Sequence, residues 1–112
     1  MEKHLIIVFA EPVEGGDDDF NEFYSEKHMP EVVSSAGVVA GQRFKIVDEG
    51  RNGGPPHPYL TIYEIEGDLD AAKDALAADF PNRTPLPDSF SRDNKDWWYT
   101  AISERLTSDP DD

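Results

Sequence analysis

Three side chains in the first half of the chain have the types and spacing to move a proton and hold the charge that results: Tyr24, His28 and Arg43. Imidazole is the one side chain whose ordinary pKa lets it exchange protons near neutrality, which makes His28 the first candidate for a general acid or base. Tyr24 stands four residues earlier, on the same face of any helix that carries both, so its hydroxyl can orient the ring or bond the same ligand. Arg43 can offer two parallel hydrogen bonds to a carboxylate, phenolate or enolate. Each has a plainer reading. His28 can close a helix at its carboxyl end and pack under Pro30, favoured there by the dipole, and Arg43 can pair at the surface with one of the 24 acidic residues.

Phe23, Tyr63, Trp97 and Tyr99 are candidate substrate-binding residues, because aromatic walls suit a flat apolar or aromatic ligand. Core packing or burial in a dimer explains such aromatics equally well. His4, on a first strand, is either a further ligand contact or a surface histidine at a strand end. His57 falls in a loop. The histidines at 4, 28 and 57 lack HxH or HExxH spacing and there is no Cys, so a metal site could arise only by convergence in space. Neither a metal nor a cofactor is expected. Ser25, Ser34 and Ser35 have no His and Asp spacing that makes a triad, and no GxGxxG or GxxxxGK cradles a phosphate.

The elements that must position these residues follow from local pattern. Lys3–Ala10 is short, β-branched and stopped by Glu11-Pro12, which predicts a buried strand. Phe20, Phe23, Tyr24 and His28 share one helical face, with Asp17 or Asp18 expected as the cap. Pro30 predicts a break or kink near Met29, followed by a short turn Pro30–Ser35 that Gly37 ends. Val38–Glu49 reads as a second strand, with Gly41 at a bulge or a close contact, and Tyr59–Glu66 as a third by its period of two. Asp68 caps a helix from Leu69 to about Ala78, whose inward stripe is Leu69, Ala72, Leu76 and Phe80. The segment from Pro81 to Asn94 is a long proline-rich loop able to cover a pocket or a partner. Trp97–Leu106 alternates as a fourth strand, with a helix from Ala101 onward as the other reading.

The order βαββαβ belongs to the α+β class and predicts the ferredoxin-like arrangement, a four-stranded antiparallel sheet with both helices on one face. Aromatics on alternate strand positions would leave the open face more apolar than soluble monomers usually show, and two sheets packed face to face resolve this. Residues 1–106 are expected to form a single domain, with 107–112 an acidic solvated tail.

A net charge of −14 repels phosphate backbones and anionic membranes, so nucleic acid and membranes are poor partners. No apolar run approaches the roughly 18 residues of a membrane span, and the amino terminus lacks a signal-peptide pattern; a cytoplasmic protein is expected.

The stretch DFNEFYSEKHMPEVVSSAGVVAGQRF, residues 19–44, carries an acidic start, the pair Phe23 and Tyr24, then His28, Pro30, Gly37 and Arg43. With KHLIIVF and PYLTIYEI as first and third strands, it resembles the dimeric α/β-barrel superfamily, and within it the EthD-like group, over most of residues 3–106. The resemblance implies a homodimeric barrel and leaves the reaction open, since one fold hosts many chemistries. The expected function is a cofactor-independent enzyme acting on an aromatic or polyketide-like molecule by proton transfer, as a lyase, isomerase or cyclase. His28 would be general acid or base, Tyr24 its partner and Arg43 the anion stabiliser. Two alternatives stand beside it: cofactor-free oxygenation in a pocket shaped by Trp97 and Trp98, and a non-catalytic ligand-binding or accessory subunit.

Overall fold

The computed structural model describes residues 2–48, 50–53 and 57–108. Four strands, β1 (Lys3–Phe9), β2 (Val38–Lys45), β3 (Tyr59–Glu66) and β4 (Lys95–Thr100), form one antiparallel sheet in the order β2-β3-β1-β4. That is the ferredoxin-like order. Helices α1 (Asp17–Phe23), α2 (Met29–Val33) and α3 (Leu69–Asp79) cover one face. Among the described residues no helix is long and apolar enough to cross a membrane.

Pairing of His4 with Ile65, Ile6 with Tyr63 and Val8 with Thr61 directs these six side chains to the helical side. There Ile6, Tyr63 and Ile65 meet Val32 from α2 and Ala72 from α3. A second cluster joins Phe20 and Tyr24 to Ala10 and Tyr59, and Val8 and Met29 touch both clusters. Phe20 is wholly buried and meets Phe90 edge-on at 4.5 Å. Truncating so enclosed a ring to Ala costs about 3–5 kcal/mol.

Several local expectations are corrected by long-range contacts. Gly16, not Asp17 or Asp18, precedes the first turn of α1, and the Asp17 carboxylate accepts a hydrogen bond from the Tyr59 hydroxyl at 2.9 Å instead. Asp68 does cap α3, accepting from the Asp70 N–H at 3.2 Å. Phe80 leaves the expected inward stripe; it begins a 3₁₀ turn and is 66% exposed.

No break occurs at Met29. Residues Tyr24–His28 form a π turn in which the Met29 N–H donates to the Tyr24 carbonyl five residues back, and both His28 and Met29 keep helical dihedrals. In a regular helix the Pro30 ring would strike the carbonyl of Glu26; the wider turn accommodates it without ending the helix. Beyond α2, Gly37 turns the chain at φ +92°, and a Cβ there would stand 3.0 Å from that of Ala72. Gly41 serves close packing, since a Cβ would lie 2.9 Å from Val33 Cγ2 and 3.1 Å from Tyr63 Cδ1, while the register irregularity falls between Val38 and Ala40.

Strands β2 and β4 are shorter than expected because their partners stop. β2 ends at Lys45, opposite Tyr59; the next partner residue is Pro58, which has no N–H to donate, and Glu49 lies outside the described residues. β4 spans Lys95–Thr100 rather than Trp97–Leu106, since Ala101 N–H makes the last bond to the Lys3 carbonyl, where β1 begins. No helix follows; residues 101–108 have no regular structure, and Ile102 and Leu106 are exposed. Of the acidic tail, Asp109–Asp112 lie outside the described residues.

The sheet face away from the helices carries Leu5, Ile7 and Phe9 beside Leu60, Ile62, Trp97 and Tyr99, by the same register. Trp97 and Tyr99 are about half exposed there, at 47% and 53%.

Candidate functional site

A cavity of about 460 Å³ opens between the helical face of the sheet and the loop after α3. Ile6, Val8 and Trp98 form its floor; Tyr24, His28 and Val32 form one side, and Leu76 and Phe80 the other. Arg83, Leu86 and Phe90 from the Pro81–Asn94 loop complete it, so that loop is a cavity wall.

The π turn sets the ring pair at its centre. His28 lies edge-on to Tyr24 at 4.8 Å between centroids, and Tyr24 stacks on Phe90 at 5.7 Å with 11° between planes. His28 Nδ1 is buried without a hydrogen-bond partner, as are the Tyr63 hydroxyl and Arg83 Nε. All three residues line the one apolar cavity.

Burial and, to a smaller extent, the Arg83 charge pull the His28 pKa down from 6.5 to about 4 against the opposing charge of Glu31. At neutral pH the imidazole is uncharged, able to donate from one nitrogen and accept at the other. Burial also pushes the Tyr63 phenol up, with the neighbouring Tyr24 phenol adding to it, so Tyr63 keeps its proton.

Tyr24, His28 and Tyr63 thus meet at one cavity, and the remaining sequence-derived site residues stand elsewhere. Arg43 does not line the cavity. Its Nη1 donates to Ser25 Oγ at 2.8 Å and to the Asn21 carbonyl at 3.2 Å, its Nη2 donates to Asn21 Oδ1 at 2.8 Å, and its guanidinium lies 4.6 Å from the Tyr24 ring centroid. These bonds fasten α1 to β2 and back the Tyr24 ring. Phe23 packs against Phe90 behind the cavity wall. Trp97 and Tyr99 lie across the sheet from His28, whereas Trp98 turns inward. His4 is 4% exposed rather than a surface residue, with Nε2 3.2 Å from the Gly67 carbonyl and 3.4 Å from Glu2.

Arg83 is a charged cavity residue that sequence reasoning did not single out, and Trp98, expected in a pocket only under the oxygenation alternative, lines the same cavity. Alternation alone separates Trp97 from Trp98, but only pairing with Ile6 says which of the two faces the helices. Arg83 had one available signal, a cation in a loop already read as a cover. A larger open groove of about 1100 Å³ runs along residues 99–105 beside Leu5 and Glu64, and it contains no histidine. Separately, Glu11, His57 and Asp93 converge near the end of β1 as the described cluster able to hold a metal ion.

Sequence comparison matches no family model and no curated protein. Structural comparison does find similar folds. An EthD family protein from Bacillus halodurans C-125 superposes with a TM-score of 0.51 at 20% identity, over 68% of this chain and 72% of that one. An EthD-like protein from Ralstonia eutropha JMP134 gives 0.55 at 14% identity, over 94% and 96%. The fold is that of the EthD-like proteins. A candidate monooxygenase from Shewanella loihica PV-4 shares this EthD-like fold, with a TM-score of 0.57 at 13% identity over 93% of this chain and 99% of that one. At such identities the likeness concerns the backbone, and the chemistry of this chain has to be argued from its own cavity.

Proposed function

We propose that this chain is a cofactor-independent enzyme that transfers a proton on an aromatic or polyketide-like small molecule, as a lyase, isomerase or cyclase. One observation carries the reading: an uncharged His28 shares an apolar cavity with the fixed positive charge of Arg83. An enolisable or phenolic substrate whose oxygen sits beside Arg83 gains a partly buried cation as anion stabiliser. As negative charge develops there, it offsets the Arg83 repulsion that depresses His28, and the imidazole pKa climbs toward the range where proton exchange is efficient. His28 then takes the substrate proton and returns it at another position. Tyr24 holds the imidazole edge-on, and Trp98 and Phe90 supply aromatic lining for a flat ring. In this reading Arg83 takes the anion-stabilising role, and Arg43 positions Tyr24.

We also propose that the chain works as a cytoplasmic homodimer, two copies burying the apolar sheet faces that bear Trp97 and Tyr99. No basic face offers itself to nucleic acid or an anionic membrane on a chain of charge −14.

Wash-in of solvent deuterium tests the chemistry. Aromatic ketones and β-dicarbonyl compounds that raise the melting temperature are incubated in D₂O, and exchange at the acidic C–H is followed by NMR. Wild type should catalyse exchange and His28→Ala should lose about 100- to 10,000-fold of it. A His28→Ala variant that keeps the wild-type rate would end the assignment. Cofactor-free oxygenation is the second reading, supported by Trp98 in the cavity and by the Shewanella relative; it requires oxygen uptake in step with substrate loss.

A further inference from the structure

His57 is buried in a way that its sequence context, a loop rich in proline and glycine, gives no reason to expect. It is 4% exposed, it lies 5.8 Å from the Phe9 ring, and neither ring nitrogen makes a hydrogen bond. An imidazole buried without using its N–H or its lone pair forfeits about 1–3 kcal/mol of solvation. Beside it stand two carboxylates from distant parts of the chain, Glu11 just past β1 and Asp93 just before β4. One ligand atom from each of the three lies within 4.8 Å of the others.

We propose that Glu11, His57 and Asp93 form a binding site for a divalent transition-metal ion of the Zn²⁺ type. His57 Nδ1 and Glu11 Oε2 are 3.3 Å apart without hydrogen-bonding geometry. Two ligands each about 2.1 Å from one ion, at a near-tetrahedral angle, are separated by roughly 3.4 Å. That pair already has the spacing of neighbouring ligands. Asp93 needs to close by at most about 1.4 Å to join them. It is an exposed residue free to do so, once it gives up the Lys95 ammonium now 3.6 Å away. The Ser91 N–H bond to the Glu11 carbonyl, 2.9 Å, holds the two segments together while it moves.

The donor set selects the ion. One imidazole nitrogen with two carboxylates suits Zn²⁺ and its first-row neighbours, whereas Mg²⁺ and Ca²⁺ favour oxygen alone. Two anionic ligands neutralise the ion's charge, and three protein ligands leave a position for water. The site also has a structural consequence for the cavity. Ala10 and Asn94 line the His28 cavity, and their chain neighbours Glu11 and Asp93 would share one ion. Bound metal therefore fastens the covering loop to β1, independently of whether His28 transfers protons.

The test uses tag-free full-length protein freed of metal by chelation, titrated with ZnCl₂ by calorimetry and with Co²⁺ by visible absorption. One ion should bind per chain and raise the melting temperature. His57→Phe, which keeps a ring against Phe9, should weaken binding more than the roughly 10- to 100-fold typical of losing an outer-shell partner. Glu11→Gln, close in size to the native side chain, should do the same. Asp93→Asn should weaken it at least about tenfold, and His28→Gln should leave it unchanged. Circular dichroism verifies folding; if His57→Phe unfolds, Glu11→Gln decides. Absence of stoichiometric binding to wild type, or binding that survives Glu11→Gln, overturns the proposal.

Discussion

Thr84 holds both oxygens of the Glu31 carboxylate: its backbone N–H donates to Oε1 at 2.9 Å and its hydroxyl donates to Oε2 at 2.6 Å. The clasp joins the covering loop to α2, three residues beyond His28 and one residue from Arg83. It holds the Glu31 carboxyl below its ordinary pKa, with the Thr84 hydroxyl the larger cause. A depressed carboxylate contributes its stabilisation above its unfolded pKa and loses it as pH falls through the folded value. At neutral pH the clasp is fully formed.

Thr84→Val removes the hydroxyl and leaves the backbone donor. Glu31 stands at the partly exposed surface, where a single polar contact is worth little, so global stability should barely change, while the amides of residues 83–90 should exchange faster with solvent because the loop opens more readily. Unchanged exchange at those amides would show that packing of Leu86 and Phe90 holds the loop without the clasp.

His28 makes stability depend on pH. Its pKa is about 4 folded against 6.5 as the ordinary value, so the unfolded chain takes up the proton first. The contribution is complete above pH 6.5 and lost as pH falls from 6.5 toward 4. Between pH 7 and 5 that loss is about 2 kcal/mol. Urea unfolding at the two pH values should show wild type losing that much more than His28→Phe. Equal losses would place the imidazole in water.

Tyr24→Phe keeps the ring against Phe90 and His28 and removes only the hydroxyl. Turnover should fall roughly tenfold or more if that oxygen positions imidazole or substrate, since a buried hydrogen bond is worth about 0.5–1.5 kcal/mol and more where charge develops. Unchanged turnover with an unchanged or higher melting temperature would make Tyr24 a packing residue.

The two arginines should separate by what they disturb. Arg83→Gln removes a charge that depresses His28, so the imidazole pKa should rise, and turnover should drop with melting little altered. Arg43→Gln breaks the bonds to Asn21 and Ser25 and should lower the melting temperature first. NMR titration of His28 in both variants checks this; a rise in Arg43→Gln alone would reverse the roles.

Sedimentation at micromolar concentration should give about twice 12.5 kDa for wild type. Trp97→Glu puts a charge on the outer sheet face and should yield a folded monomer with its His28 pKa intact. A wild-type monomer at these concentrations would remove the barrel.

What the sequence could determine was set by neighbours along the chain. A short β-branched run marks β1 and alternation marks β3, Asp68 caps α3 wherever that helix lies, and the order of elements selects the ferredoxin-like sheet because short connections and antiparallel pairing leave few arrangements. Tyr24 and His28 share a face for the same reason, their spacing of four surviving even in a π turn. Tertiary structure decided everything that depends on distance across the fold. Strand ends wait on the partner, so Pro58 and the start of β1 stopped β2 and β4 early. Asp17 lost its expected capping role to a phenol 42 residues away. Arg43 and Arg83 are equally plausible anion holders in one dimension; only packing spends the first on α1 and sets the second in the cavity. Glu11, His57 and Asp93 show no spacing motif because the backbone that joins them runs through two strands, β2 and β3, and all three α-helices. Burial and desolvation are sums over contacts from the whole chain, so the charge state of His28 could be assigned only after the cavity around it existed.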